Sequence, residues 1–369
     1  MTRAPAFAAS LTAYLSARAT TPVTIPVIQP AAPFLDMAGE DLRRRIFLTE
    51  SETGETLCLR PEFTIPVCLS HIRDGAHLPS RYAYLGEVFR QRRAGGSEFF
   101  QAGIEDLGDE NIARADARSL TDAAAMVRLA APQAPLDILL GDQNIFEAVL
   151  KALGLPRGWR MRLARTFGNA AMLKETLADL ARERPQPTLS PQMAALAGRG
   201  EQAALAASIS EEMQTTGFPA HAGRSAEEIA ARLIEKTELA SVKLSKKQFA
   251  ALSEFIAIRE PLDTAASHLR QFSKSAGIEL DGALAAFETR VGEIEALGLN
   301  ASTVTYDAAF GRPLDYYTGL VFEIRSAEKD LGALAGGGRY DLLLTLLGAE
   351  KPIPGVGFSL WLDRLEALA

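Results

Sequence analysis

Gly311-Arg-Pro-Leu-Asp-Tyr-Tyr-Thr-Gly-Leu-Val-Phe-Glu323 is the stretch that decides how this chain folds. Its second half, running on to Arg325, is rich in β-branched and aromatic residues and predicts a strand. Its first half sets an arginine, an aspartate and two tyrosines directly ahead of that strand. Three other segments mix polar side chains with apolar strand texture in the same way: Leu59-Arg-Pro-Glu-Phe-Thr64, Phe89-Arg90 and Phe99-Phe-Gln-Ala-Gly-Ile-Glu105. Gln101 and Glu105 lie four apart, which puts both on one face of a strand. A glutamate on a buried sheet face is costly unless it is paired. This face is therefore either solvated or the lining of a ligand pocket, and Arg90 on the neighbouring strand is the candidate for the matching charge.

Outward from this stretch, Thr303–Asp307 and Val356–Leu360 predict further strands, and Gly336-Gly-Gly338 reads as a glycine-rich turn between strands. Toward the N-terminus, residues 1–20 read as one alanine-rich helix. Thr20 to Pro30 reads as a proline-broken extended segment at a sheet edge or subunit boundary. Arg45–Thr49 and Thr56–Arg60 predict a hairpin, and Pro61 starts a helix. Tyr82–Arg90 and Phe99–Gly108 predict two strands around a loop at Arg92–Ser97. A helix over Ala113–Leu129, a strand at Leu136–Gly141 and a helix over Asn144–Leu153 follow. From Arg157 to Asn300 alanine, leucine, glutamate and arginine dominate, with Leu284, Phe287, Val291, Ile294 and Leu297 at helical spacing. The prediction is an α+β fold: an antiparallel sheet flanked by helices, formed by residues 1–156 and 300–369, with a mainly helical insertion over 157–299. Breaks in the insertion fall near Pro185–Pro191 and Gly217–Gly223.

Composition narrows the function. Of 369 residues, 47% are apolar and 23% charged, a profile that supports a real core. The net charge of -7 lowers the expectation of nucleic acid as the main partner. Cys58 and Cys68 have no metal-site spacing and read as two buried thiols in a reducing compartment, so no metal is expected. The N-terminus does not read as a signal peptide, and no apolar run is long enough for a membrane span. A cytoplasmic protein is expected.

Taken in order, the polar segments resemble the catalytic core of histidyl-tRNA synthetase, a class II aminoacyl-tRNA synthetase. Pro26-Val-Ile-Gln with Pro33-Phe resembles the first class II motif, which builds a dimer interface. Leu59–Thr64 resembles the segment that holds the α-amino group of histidine, and Phe89 through Glu105 the second motif. Arg312-Pro-Leu-Asp-Tyr-Tyr-Thr-Gly resembles the histidine-specific signature, Ala335–Asp341 the glycine-rich strand after it, and Gly355–Leu365 the third motif. The match covers residues 20–155 and 300–366. It implies a class II synthetase-like fold and a histidine site. Glu62, Thr64 and Gln101 would accept from the α-ammonium. Arg90 and Arg312 would hold the carboxylate, for which guanidinium geometry is suited. Glu105 and Tyr317, with Tyr316 beside them, would meet the imidazole, which needs a partner at each nitrogen. The residues by themselves leave plainer roles open. Glu62 could cap the helix that starts at Pro61. Alternation along a strand would let only one of Tyr316 and Tyr317 face a ligand. Asp315 is expected to stabilise its turn or to pair with an arginine.

The chain departs from a synthetase where a nucleotide would sit. Phe89-Arg-Gln-Arg92 has an arginine where the family has an acid that helps position the nucleotide. The following loop is short, with Ser97 at a customarily basic position. Trp361 stands where the third motif has a glycine, filling space that a ligand needs or turning into the core, while Arg364 is kept. The sequence stops soon after that motif, without the anticodon-binding domain of the synthetases. Histidine features thus remain while nucleotide and tRNA features are altered. This pattern resembles the family branch that serves as regulatory subunit of ATP phosphoribosyltransferase, the first committed enzyme of histidine biosynthesis. The resemblance implies a non-catalytic protein, without cofactor, that binds L-histidine for feedback control and supports the short-form catalytic subunit. It further implies a homodimer within a hetero-oligomer, and no use of tRNA. A histidine-adenylating enzyme or truncated synthetase is the alternative, against which Arg92 and Trp361 argue. A pure interaction protein with a relic pocket is another.

Overall fold

The computed structural model describes all residues except 1–2, 38, 94, 183–186, 216–224, 242–244, 313–315 and 369. Asp315, residues 185–186 of the first predicted break in the insertion and the whole of the second lie outside the described residues. The chain forms two compact units. The first comprises Met1–Phe146, Phe167–Asn169 and Phe255–Ala369, and the second Glu147–Thr166 and Ala170–Glu254.

The first unit is built on strands β1 (Thr21–Pro22), β2 (Ile28–Pro30), β3 (Leu48–Glu50), β4 (Thr56–Leu59), β5 (Ser80–Phe89), β6 (Glu98–Leu107), β7 (Leu136–Asp142), β8 (Arg259–Pro261), β9 (Val304–Asp307), β10 (Leu320–Ser326), β11 (Ala333–Arg339) and β12 (Gly355–Trp361). Nine of them form one sheet in the order β1-β5-β6-β12-β11-β10-β7-β9-β8, and β2-β4-β3 form a small second sheet. From β5 to β7 every pairing is antiparallel. Among the described residues, only β1 with β5 and β7 with β9 run parallel. The expected antiparallel sheet flanked by helices is therefore the architecture found.

Two expectations are corrected. Gly336-Gly-Gly338 is no turn but lies inside β11, near the centre of the sheet. Its glycines answer to close neighbours. A Cβ at Gly336 would collide with the Arg312 guanidinium, and one at Gly338 would press on the Tyr317 ring. The second correction concerns the insertion. Residues 255–299, read as its C-terminal part, belong to the sheet-bearing unit. The helix Asp281–Ala296 packs there on the helix Ile112–Ala130. Its buried Arg290 donates to Asp116 at 2.7 Å and also to Asp142. Leaving such a guanidinium unpaired in a core would cost several kcal/mol, which fixes this helix in place.

The helix Ile112–Ala130 starts at Asn111, whose side chain accepts from the Arg114 backbone N–H at 3.2 Å. The second unit is helical among its described residues and has its own core of Met193, Leu196, Leu205, Ile209 and Ala230. Its helix Pro191–Gly198 opens on a Ser190 cap with proline in the first turn. Among the described residues no helix is long and apolar enough to cross a membrane.

Candidate functional site

The Leu59–Thr64 segment leaves β4 and enters the helix Thr64–Asp74 under tight restraint. Arg60 turns its guanidinium onto the carbonyls of Ile25 and Glu87 and lies 4.1 Å over the Phe63 ring. Phe63 in turn stacks on Tyr84 of β5 at 4.3 Å. Glu62 is thereby aimed at the helix start. Its two oxygens accept from the backbone N–H groups of Thr64 at 2.6 Å and Ile65 at 2.9 Å. The plain capping role is real, and the same carboxylate also lines a cavity. Burial pushes the Glu62 carboxyl up, against the pull of those backbone N–H groups and of Arg90.

The cavity holds about 170 Å³ and is lined by Glu62, Thr64, Arg90, Gln101, Arg312, Tyr316 and Tyr317, together with Leu42, Arg45, Gly336, Tyr340, Gly357, Phe358, Ser359 and Trp361. It is slightly larger than the ~150 Å³ that accommodates a benzene molecule in an engineered protein core. Seven of the eight residues singled out from sequence thus share one wall system. Gln101 is fully buried on β6, and neither its amide oxygen nor its nitrogen has a hydrogen-bond partner. Arg90 follows β5 and donates through Nε to the Pro61 carbonyl at 2.6 Å. Burial brings its guanidinium down to about 10, with Glu62 opposing the shift. Arg312 has a buried, unpartnered Nε and sits 3.6 Å from Glu323.

Glu105 is the exception. It is fully buried but does not line the cavity. Thr64 donates to it at 2.7 Å, Tyr340 donates to its other oxygen, and the Tyr84 hydroxyl lies 3.3 Å away. The expected pairing of Glu105 with Arg90 is not found. Hydroxyls take its oxygens, and the charge facing Arg90 is Glu62. With no cation to offset burial, the Glu105 carboxyl is pushed up to about 8, against the hydrogen bonds from Tyr340 and Thr64. Tyr316 and Tyr317 both line the cavity. They precede β10 rather than belong to it, so strand alternation does not apply. Tyr340, Ser359 and Arg45 were not singled out beforehand. Tyr340 lies next to the predicted glycine-rich run, but nothing local showed that its hydroxyl would reach Glu105.

Trp361 stands at the border of cavity and core. It lines the cavity and packs in a core cluster with Ile25, Phe63, Val67, Tyr84, Val88 and Phe99. Arg312 and Arg364 lie over its ring at 5.7 and 5.2 Å. Nearby, the Arg92 guanidinium covers the Phe99 ring at 3.4 Å and pairs with Asp363 at 2.6 Å. The cavity therefore offers the guanidinium groups of Arg45, Arg90 and Arg312 for an anion, a carboxylate and an unpartnered amide for a cation or polar group, and tyrosine walls for a small ring. That is the donor and acceptor set of a small zwitterion.

A family model described as histidyl-tRNA synthetase matches residues 6–231 and 206–365 of this chain. A protein of Mesorhizobium japonicum named ATP phosphoribosyltransferase regulatory subunit is 62% identical over 366 residues, which span 99% of this chain and 98% of that protein. One of the same name from Agrobacterium fabrum is 56% identical over 364 residues, spanning 99% of this chain and 97% of its own. Among solved structures, an ATP phosphoribosyltransferase regulatory subunit/histidyl-tRNA synthetase from Bacillus halodurans has a TM-score of 0.64 at 19% identity, covering 98% of this chain and 78% of that one. The histidyl-tRNA synthetase of a Nostoc species also has a TM-score of 0.64, at 17% identity, over 98% of this chain and 70% of its own. At those identities the structures speak to the fold alone.

Proposed function

The chain belongs to the ATP phosphoribosyltransferase regulatory subunit family, within the histidyl-tRNA synthetase-like proteins, and on that premise we propose that it binds free L-histidine in the 170 Å³ cavity and passes that signal to a short-form catalytic subunit. In this role it is the non-catalytic partner in the first step of histidine biosynthesis, a homodimer within a cytoplasmic hetero-oligomer that does not handle tRNA.

The observation that carries the histidine proposal is the unpartnered Gln101 amide inside a wall that also holds Glu62, Arg90 and Arg312. Buried polar atoms without partners are rare and costly, and a bound polar ligand removes the cost. Arg90 and Arg312 would hold the α-carboxylate, and Glu62 with Gln101 the α-ammonium. Tyr316, Tyr317 and Tyr340 would enclose the imidazole, with Glu105 acting on the ring through Tyr340 and Thr64 rather than directly. Trp361 and the Arg92–Asp363 pair favour a sensor over an adenylating enzyme, because they stand where the resemblance places a glycine and an acid that helps position the nucleotide.

The test is calorimetric titration of the full chain with L-histidine and then with ATP. Histidine is expected to bind and ATP is not. At about 100 times its dissociation constant, histidine should stabilise the fold by about 2.7 kcal/mol. Robust histidine-dependent ATP–pyrophosphate exchange would overturn the proposal. Feedback requires reciprocity: if histidine weakens substrate binding by the catalytic subunit, those substrates must weaken histidine binding by the same factor.

A further inference from the structure

Glu323 is a carboxylate in the middle of an apolar strand. Its neighbours in β10, Phe322 and Ile324, are fully buried, and β10 is paired on both edges, to β7 and to β11. A charge at such a position needs a partner. The sheet register shows where it stands. Glu323 lies opposite Gly336 of β11, and Gly336 opposite Ser359 of β12. Residues directly opposite one another share a face of the sheet. Gly336 and Ser359 line the amino-acid cavity, whereas Glu323, one strand further out, does not.

Arg312 lies between Glu323 and the cavity. Its guanidinium rests over Gly336, where a Cβ would strike Nη1. That Nη1 is 3.6 Å from Glu323 Oε2 and 3.5 Å from the Phe322 carbonyl oxygen, and the buried Nε has no partner. Hydrogen-bonded guanidinium–carboxylate pairs lie at about 2.7–2.9 Å. Arg339 and Arg290 keep that spacing to Asp116, at 2.7 Å each. The pair of Arg312 with Glu323 is attractive but open. A second cation shares the carboxylate. Arg325, two residues further along β10 and so on the same face, reaches the same Oε2 at 3.3 Å.

We propose that Glu323 competes with the ligand's carboxylate for Arg312 and so sets the concentration of histidine at which the cavity fills. Glu323 touches no ligand itself; it is a positioning residue that acts through Arg312. Before a ligand arrives, Arg312 leans on Glu323. A ligand carboxylate offers the guanidinium a closer partner at its free Nε, and part of that gain is lost with the attraction to Glu323. Arg325 moderates the loss, because it draws Glu323 away from Arg312. The inference rests on the histidine reading above and adds the residue that limits affinity there.

The test is calorimetric titration of the full chain with L-histidine and with L-histidinamide, in which a neutral amide replaces the carboxylate. Glu323→Gln keeps the size of the side chain and removes its charge. It is expected to tighten histidine binding about threefold or more, and to leave histidinamide binding no tighter. Arg325→Gln, at a side chain that is 49% exposed, leaves Glu323 to Arg312 and is expected to weaken histidine binding about twofold. Histidine affinity that is unchanged or weaker in Glu323→Gln would overturn the proposal, and so would tighter binding in Arg325→Gln. Equal tightening of both ligands in Glu323→Gln would overturn it too, since a merely structural change does not tell a carboxylate from an amide. A wild-type chain that does not bind histidine overturns the histidine reading and this inference together. Binding by the wild type with no shift in Glu323→Gln overturns this inference alone.

Discussion

Two buried polar clusters lie in the sheet-bearing unit, and they differ in how completely they are satisfied. At the first, Asp116 accepts from Arg339 at 2.7 Å through one oxygen and from Arg290 at 2.7 Å through the other. Arg290 also reaches Asp142, whose second oxygen caps the next helix through the Asn144 N–H at 2.9 Å. Arg339 completes the set with Asp341 at 2.7 Å. At the second, around the cavity, both amide atoms of Gln101 and the Nε of Arg312 are buried without partners. Burial does not separate the clusters, since Asp116 and Gln101 are both fully buried. Completeness does. A finished network holds helices to a sheet, whereas an unfinished one retains binding energy that a ligand can use.

The contrast is broken most forcefully at Asp116. Asp116→Ala removes the carboxylate that two buried guanidinium groups share, leaving Arg290 to Asp142 and Arg339 to Asp341, and should cost about 3–5 kcal/mol of stability in chemical denaturation, with correspondingly little folded protein at mild denaturant. Next in size is a pH effect at Glu105, which is as buried as Asp116 but held by hydroxyls instead of arginines. Its carboxyl stands at about 8 in the folded chain against an ordinary 4.5. Between those values the unfolded chain loses its proton while the folded chain keeps it. The contribution of Glu105 is thus full below the lower value and declines as pH rises toward the upper one. Glu105→Gln should flatten that decline, read from denaturation midpoints measured across the interval. A variant with the wild-type slope would refute the assignment.

The cavity cluster should respond in the opposite way to the Asp116 cluster. Arg312→Ala is expected to weaken histidine binding by about 2 kcal/mol or more in calorimetry, roughly thirtyfold, while moving stability by less than about 1 kcal/mol. The smallest effect sharpens the comparison most. Gln101→Leu removes two unpartnered atoms, so the fold should be unchanged or slightly more stable, while histidine affinity falls by about tenfold. Loss of stability comparable to that of Asp116→Ala would show that the two clusters do the same job.

The alternation and turn chemistry of β3–β4 and β5–β6 made the fold legible, and four polar segments marked the cavity wall. What was illegible depended on partners far away in the chain. Strand period placed Gln101 and Glu105 on one face, but it cannot say that Thr64 and Tyr340 arrive from other elements to occupy Glu105. Gly336–Gly338 reads locally as a turn. The pressure of Arg312 on Gly336, of the Gly357 carbonyl and Phe358 on Gly337, and of the Leu320 carbonyl and Tyr317 on Gly338 explains a strand made of glycine. The alanine-rich texture of residues 157–299 runs unbroken across the boundary between the two units. Arg290, one charged residue among many in that texture, gave no local sign that its side chain would be buried between two aspartates.

The Arg92 arrangement has a consequence for what position 92 tolerates. Arg92 is held from two sides, by the Phe99 ring and by Asp363. An acid placed there by a single substitution would set a carboxylate against Asp363 and uncover an aromatic ring. Position 92 therefore works as a charge lock: its sign cannot be reversed without like-charge repulsion and lost packing at once.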